Sequence, residues 1–291
     1  MKILVYGAGV TGSLYAARLS EAGHDVALLA RGARLASLRK HGLQLAEEGT
    51  SKIRRLAVSV VDDATDEYDL TLVLVRAQQI EDVVESLAGG SGEVLFLLNW
   101  AGGIDPLAAV IGRERVLLGF PILGGTMRGE LVSYRAASPL TNIVAMPIGE
   151  PDGRRTPRLE RTIEMFRAAG IKAKAEPRMD AWLATHAAFE VPLGKAVHAA
   201  GGLEHLAMDT DALRTMVRSM KASLESMPSQ PVPRAFGLLR TAPEGFLMSL
   251  FRRFLRSTAA TPLATSTPAA IGELERLAEQ LAERTPTVAR S

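Results

Sequence analysis

The sequence predicts an α/β protein with an open, mainly parallel sheet in its N-terminal part and a second, mainly helical C-terminal domain. Three observations lead to this fold class. Short apolar runs alternate with helical stretches through residues 1–175, as is typical of open α/β sheets. A glycine-rich turn joins the first run to the first helix. From about Met179 the strand-like runs stop, so the 291 residues divide into domains 1–175 and 178–291.

Continuous apolar runs predict strands that are buried on both faces of a parallel sheet. There are five of them: Ile3–Tyr6, Asp25–Ala30, Leu70–Val75, Val94–Leu98 and Val116–Phe120. The stretches between them predict the crossover helices Val10–Ala22, Arg34–His41, Ile80–Leu87 and Ile104–Ile111.

The remaining elements are an appended hairpin, an extension of the sheet and a set of C-terminal helices. The hairpin combines Leu43–Leu45 with Arg55–Val60 around a polar turn. The extension has strands at Leu131–Tyr134, Asn142–Ile148 and Ile171–Ala175 and a helix at Arg158–Ala169. The later helices are Trp182–Ala200, Asp211–Met227, Gly245–Arg256 and Ala269–Arg284, separated by Pro-rich and Ser-Thr clusters.

Composition excludes several classes of function. A net charge of +2 without a basic stripe argues against nucleic-acid binding. The chain has no cysteine, and its five histidines show no metal-ligand spacing, so we expect no metal site. No apolar run reaches the roughly 18 residues of a membrane span, and the N-terminus lacks a leader pattern, so we expect a cytoplasmic protein. The apolar face of Gly245–Arg256 suggests packing on the domain core or in a homodimer.

A G-x-G-x-x-G motif follows the first predicted strand and opens the first helix. It consists of Gly7, Ala8, Gly9, Val10, Thr11 and Gly12. In this context the glycines allow a tight turn and a close approach of the backbone to a pyrophosphate, while the helix N-terminus attracts the phosphates. The motif predicts a Rossmann-type dinucleotide-binding domain.

Arg31 indicates which dinucleotide binds. An acidic residue about 20 positions past the motif would favour NAD by binding the ribose 2′-hydroxyl, but this position holds Arg31, nineteen residues after Gly12. A guanidinium pairs with a 2′-phosphate, and Arg34 and Arg39 add positive potential. We therefore expect NADP(H) as the cofactor.

These residues resemble those of the ketopantoate reductases, also called 2-dehydropantoate 2-reductases. The resemblance runs through GAGVTG and the segment ending in Arg31, then LVLVRAQQ at Leu72–Gln79, Asn99, and the glycines around Gly125. It is clear over about 150 residues and weaker beyond them. It implies that NADPH delivers hydride to a ketone while groups on the second domain bind a small carbonyl substrate.

The resemblance also implies individual site residues. Those that match cofactor positions are Gly7, Gly9, Gly12, Arg31, Arg76, Asn99, Gly125 and Glu273. Arg76 stands where the family has a strand-end lysine near the nicotinamide. Asn99 matches an asparagine that holds nicotinamide and substrate, and Glu273 matches a late family segment only weakly.

The sequence departs from the family on the first helix of the second domain. The family pattern Trp-x-Lys-x-x-x-Asn supplies the catalytic lysine and a substrate-binding asparagine. After Trp182 these positions are Ala184 and Ala188, and a third contact falls near Pro192. Ketopantoate itself is therefore not the expected substrate.

The sequence leaves the proton donor open. Lys195 lies eleven residues, about three helical turns, after Ala184 on the same face. His186 and Glu190 form an i, i+4 pair on another face, and Asn99 and Arg76 are polar groups placed near the nicotinamide by the resemblance. Asn99 and Lys195 are the catalytic candidates.

Three functions are consistent with these patterns. The first is an NADPH-dependent reductase of a ketone or 2-oxo acid. The second is an NADP-binding sensor or partner subunit that has lost its chemistry, and the third is a dehydrogenase of another family with a similar cofactor domain. Two sets of residues bear on the choice between the first two functions. The intact glycines and Arg31 indicate a working cofactor domain, whereas Ala184 and Ala188 indicate lost chemistry.

Overall fold

The computed structural model describes residues 1–135, 144–264 and 267–284. It has two compact units. The first contains Met1–Leu98 and Ile104–Met179, and the second contains Asn99–Gly103 and the chain from Asp180 onward. The α/β fold class is confirmed, with a largely parallel sheet in the first unit and helices in the second. The segment Asn99–Gly103, placed in the first domain by the sequence, groups with the helical unit.

The main sheet of the first unit has eight strands, which are β1 (Lys2–Tyr6), β2 (Asp25–Leu29), β5 (Ser59–Val61), β6 (Leu70–Val73), β7 (Glu93–Leu97), β8 (Val116–Gly119), β11 (Met146–Gly149) and β12 (Ala173–Ala175). Their order is β12-β11-β8-β7-β6-β1-β2-β5. All pairs are parallel except β11 with β8. The carboxyl ends of β1, β2 and β6 therefore meet at one edge, which is where an open sheet of this kind binds ligands.

The crossover helices lie close to their predicted positions. They are α1 (Val10–Glu21), α2 (Gly32–His41), α3 (Ile80–Leu87), α4 (Asp105–Ile111) and α5 (Pro157–Ala168). The core of this unit combines the apolar strands with the inner faces of α1 and α5. Tyr15 on α1 is fully buried, and its hydroxyl accepts a hydrogen bond from the backbone N–H of Ile122 at 3.1 Å.

The predicted hairpin differs from the observed one. Strands β3 (Leu43–Glu47) and β4 (Ile53–Leu56) pair antiparallel as expected. The predicted strand Arg55–Val60 is wrong as a single element, because its second half becomes β5 and pairs with β2 in the main sheet. The hairpin belongs to a separate four-stranded sheet of order β4-β3-β10-β9, where β10 is Leu131–Tyr134 and the unpredicted β9 is Gly125–Arg128. Residues 142 and 143 of the predicted strand Asn142–Ile148 lie outside the described residues.

The second unit contains six helices in the described ranges, which are α6 (Met179–Ala199), α7 (Leu203–Met208), α8 (Thr210–Glu225), α9 (Gly237–Thr241), α10 (Glu244–Leu255) and α11 (Pro268–Arg284). Leu247 and Phe251 of α10 lie in its core, whereas Phe246 and Leu250 are 61% and 47% exposed. The expectation of a homodimer through this helix stays a prediction. Across the described ranges no helix is long and apolar enough to cross a membrane.

Candidate active site

The three motif glycines have different structural roles. Gly7 has a φ of +117°, and a Cβ there would collide with the carbonyl oxygen of Leu74. A Cβ on Gly12 would collide with the carbonyl oxygen of Gly7, so both positions require glycine for the turn itself. Gly9 has an ordinary φ of −70° and is exposed, and a Cβ there would meet no protein atom within 4 Å. The protein's own packing therefore does not explain why Gly9 is a glycine.

The start of α1 is suited to an anion. Gly9 is its N-cap and supplies no side-chain cap, and the first turn contains no acidic residue. The first N–H groups of a helix have no partner within that helix and carry the positive end of its dipole. A phosphate group would satisfy these donors without competing with a local carboxylate.

Arg31 lies where β2 ends, beside the residue that precedes the glycine turn. Its Nη2 donates to the hydroxyl of Tyr6 at 2.5 Å, and its guanidinium carbon is 5.6 Å from the centre of the Tyr6 ring. The Tyr6 hydroxyl also accepts from Ser86 at 3.2 Å. Arg31 is exposed, and no carboxylate of the described residues forms an ion pair with it. Its charge is thus oriented by a phenol and is not neutralised by an acid.

Arg34 supports the turn from α2. Its Nε donates to the carbonyl oxygen of Ala8 at 3.1 Å, and Nη2 lies 3.3 Å from Oγ of Ser13. Its Nη1 forms an ion pair with Glu130 at 3.1 Å. Arg39 pairs with Asp62 at 3.3 Å. These two arginines therefore have protein partners, and Arg31 is the guanidinium on this side of the motif with no such acid.

Arg76 follows β6 by three residues and is half-buried. Its backbone N–H donates to Oε1 of Gln79 at 3.1 Å, which caps the turn that leads into α3. Gly125, in contrast, begins β9, where a Cβ would collide with the carbonyl oxygen of Ser133. Close strand pairing alone accounts for that glycine, so its cofactor role stays a prediction, as does that of Glu273 on α11.

Asn99 belongs to a loop, Asn99–Gly103, that is held within the helical unit. Oδ1 of Asn99 is buried and has no hydrogen-bond partner in the described structure. The backbone N–H of Ala101 donates to Oε1 of Gln280 at 2.9 Å. The backbone carbonyl oxygen of Ala101 accepts a hydrogen bond from Arg284 at 3.2 Å. Arg284 in turn donates two hydrogen bonds to Asp180, at 2.9 and 2.5 Å. The loop that carries Asn99 is thus anchored to α11 and α6.

Gln280, Arg284 and Asp180 were not among the residues predicted from the sequence. The only signal was the i, i+4 spacing of Gln280 and Arg284 on one face of a helix. A glutamine that is 1% exposed reveals its role only through its partner loop, which is about 180 residues away in the chain.

Helix α6 is continuous through Pro192. Ala184 and Ala188, at the positions of the family lysine and asparagine, are 3% and 0% exposed, and Ala188 packs in the apolar core of the unit. Lys195 is exposed. The two alanines are therefore enclosed, whereas Lys195, further along the same face of the helix, is exposed.

The parallel sheet and the glycine turn define the class: this protein contains a domain with the Rossmann-type fold. Residues 3–147 match the family model described as Ketopantoate reductase PanE/ApbA, so the chain contains a domain of the ketopantoate reductase family. Members of this family are oxidoreductases.

Two curated relatives illustrate the extent of the likeness. A 2-dehydropantoate 2-reductase of Archaeoglobus fulgidus is 32% identical over 175 residues, which are 60% of this chain and 55% of that protein. One of Mesorhizobium japonicum is 26% identical over 211 residues, 63% of each chain. The alignments thus span just over half of the length of these relatives.

Solved structures match over nearly the whole chain at low identity, which shows a common fold. A 2-dehydropantoate 2-reductase from Porphyromonas gingivalis has a TM-score of 0.66 and 19% identity, covering 97% of this chain and 99% of that one. A D-mandelate dehydrogenase in ternary complex with NADH and anilino(oxo)acetate has a TM-score of 0.68 and 17% identity, with the same coverage.

Proposed function

We propose that this protein is an NADPH-dependent oxidoreductase that reduces the carbonyl group of a ketone or 2-oxo acid other than ketopantoate. The observation that carries the proposal is the contrast among the glycines. Gly7 and Gly12 are required by the turn, but Gly9 faces open space directly before the N-terminus of α1. A glycine kept at such a position is explained by a ligand whose phosphates approach the backbone.

The residues present fit an NADP nucleotide. The N–H groups at the start of α1 would bind the pyrophosphate, and Arg31 would pair with the 2′-phosphate while resting against Tyr6. When bound, the reduced nicotinamide supplies a hydride. The NADH in the D-mandelate dehydrogenase complex supports a nicotinamide cofactor in proteins of this fold.

Asn99 is the residue best suited to orient the carbonyl substrate. Its Oδ1 is a buried acceptor without a partner, and such atoms are costly unless a ligand or water satisfies them. The anchors on Ala101 restrict the loop around it, and this restriction lowers the entropy lost on binding.

The proposal of a substrate other than ketopantoate is supported by the alanines of α6. Ala184 and Ala188 present methyl groups where the family has a cation and an amide. A carboxylate and a developing alkoxide lose two polar partners by this change, which favours a larger and less polar carbonyl compound.

The test is a screen of purified protein with NADPH against ketopantoate, 2-oxoisovalerate, benzoylformate and uncharged aryl ketones. Loss of nicotinamide absorbance with at least one bulky carbonyl compound is the expected result. Tight NADPH binding without turnover of any compound would contradict the reductase assignment and favour a protein that only binds the nucleotide. The Gly9→Val variant is the matched control, because any NADPH oxidation that it still shows does not require the nucleotide site.

A further inference from the structure

Helix α6 carries a second polar face next to the buried alanines. Trp182, His186 and Glu190 follow each other at intervals of four residues and therefore lie on one face. The rings of Trp182 and His186 stack with an interplanar angle of 8° and centroids 5.3 Å apart. Nε2 of His186 lies 3.1 Å from Oε2 of Glu190. The imidazole is thus held on one side by an indole and on the other by a carboxylate.

The surroundings of this face differ from those of the alanines. The side chains of His186 and Glu190 are 26% and 22% exposed, so they are partly accessible, whereas Ala184 and Ala188 are enclosed. A side chain that must meet a substrate has to reach solvent-accessible space. Within the first three turns of α6, His186 is the side chain that combines such access with an imidazole ring, the side chain that most often transfers protons in enzymes.

Glu190 supports a charged imidazole. Its Oε2 atom is buried and accepts no hydrogen bond of good geometry, although Nε2 of His186 is only 3.1 Å away. A buried carboxylate oxygen without compensation is costly, and an adjacent imidazolium removes that cost. The geometry is that of a histidine oriented by a carboxylate, as in other pairs of residues that transfer protons.

We propose that His186 is the proton donor of the reduction and that Glu190 is the residue that positions it. This inference rests on the proposed reductase function. As hydride adds to the carbonyl carbon, the π electron pair moves to the oxygen, and the proton of the imidazolium passes to that oxygen to form the alcohol. The neutral imidazole then regains a proton from solvent, which completes the balance of carbonyl, hydride and proton.

Lys195, the donor expected from helical spacing, is the main rival. It lies about 16 Å further along the axis than Ala184 at 1.5 Å per residue and is exposed near the end of α6. Among the described residues, no carboxylate forms an ion pair with Lys195, whereas His186 has both an orienting carboxylate and a stacked ring.

The test uses the full chain with NADPH and the carbonyl compound that the wild type reduces fastest in the screen. We expect His186→Gln to lower kcat about a hundredfold, with KM and NADPH affinity changed less than threefold. In His186→Ala, added imidazole should restore part of the lost rate. His198→Gln is the matched control, because His198 lies on the same helix and is exposed.

Glu190→Gln tests the positioning residue, and it also tests the proposal if the His186 variants do not fold. We expect kcat to fall about tenfold at unchanged KM, and Glu190→Asp to restore most of it. Retention of more than a tenth of kcat by His186→Gln, a loss that imidazole does not relieve, or a larger loss in Lys195→Met would each overturn the assignment. Those results leave the reductase function standing, whereas an inactive wild type would remove the function itself.

Discussion

The guanidinium of Arg31 donates to the hydroxyl of Tyr6 at 2.5 Å and lies 5.6 Å from the centre of its ring. The two residues stand at the ends of neighbouring parallel strands, one directly before the glycine turn and the other two residues after β2. This contact orients a cation that no acid of the described residues neutralises, at the end of the second strand, where Rossmann-type dinucleotide-binding domains contact the ribose.

The first prediction concerns nucleotide preference. NADPH should bind more tightly than NADH, and Arg31→Ala should weaken NADPH binding by about ten- to hundredfold, or about 1.5–3 kcal/mol, because one charge-assisted contact is lost. Titration of both nucleotides by fluorescence measures this. Arg39→Ala is the control, since Arg39 already pairs with Asp62. Equal affinities of the wild type for both nucleotides would refute the assignment.

The second prediction separates the glycines. Gly9→Val should abolish NADPH binding, because the branched side chain would fill the space expected for the pyrophosphate. The thermal unfolding midpoint should stay near that of the wild type, because a Cβ at this position meets no protein atom within 4 Å. Gly12→Ala should instead lower the midpoint, since its methyl group collides with the Gly7 carbonyl. Normal NADPH binding by Gly9→Val would mean that the phosphates bind elsewhere.

The third prediction concerns the loop Asn99–Gly103. Gln280→Met leaves the backbone N–H of Ala101 buried without its acceptor, which costs about 1–3 kcal/mol. Because the loop that carries Asn99 would then be less restricted, we expect kcat to fall while the affinity for NADPH stays nearly unchanged. Arg276→Met on the same helix is the control. Full activity in Gln280→Met would show that the loop does not depend on this anchor.

The fourth prediction is that ketopantoate is a poor substrate. Ala184 and Ala188 replace the cation and the amide that would bind its carboxylate, and a buried polar group left without partners costs about 1–3 kcal/mol. Steady-state kinetics with ketopantoate and benzoylformate compare the two. Turnover of ketopantoate at ordinary enzyme rates would mean that another cation acts, and Lys195→Met and Arg76→Met would identify it.

The fifth prediction concerns stability of the first unit. Glu150 is 5% exposed, and Arg158 pairs with it at 2.5 Å and also donates to the carbonyl of Val116 at 3.1 Å. The hydrogen bonds that Arg158 donates to Glu150 raise the pKa of Arg158 further above its ordinary value. Arg158→Met would leave the buried carboxylate of Glu150 without its cationic partner. We therefore expect the free energy of unfolding, measured by urea denaturation, to fall by about 3–5 kcal/mol.

The control for that loss is Arg155→Met, whose partner Glu160 lies in an exposed pair. This change should cost less than about 1 kcal/mol. If both variants unfold alike, the buried pair does not stabilise the sheet.

Much of the first unit follows from local patterns. The apolar runs predict the central strands to within about two residues, because strands covered on both faces have few polar positions. The glycine motif and Arg31 are recognisable for a similar reason, since a turn that must approach phosphate constrains consecutive residues. The split of Arg55–Val60 between two sheets was not predictable, because Ser59–Val61 is specified by the free edge of β2 and not by its own sequence.

In the helical unit, long-range packing decides more than local sequence patterns do. Spacing alone puts Ala184 and Lys195 on one helical face and His186 with Glu190 on another, but spacing does not say which face is enclosed. Burial of Ala188 at 0% exposure and the anchoring of Ala101 by Gln280 arise from contacts between segments far apart in the chain. The local sequence therefore determines the glycine turn for which we propose nucleotide binding. The long-range packing of α6, α11 and the Asn99 loop selects the side chains that remain available to a substrate, because burial depends on every element at once.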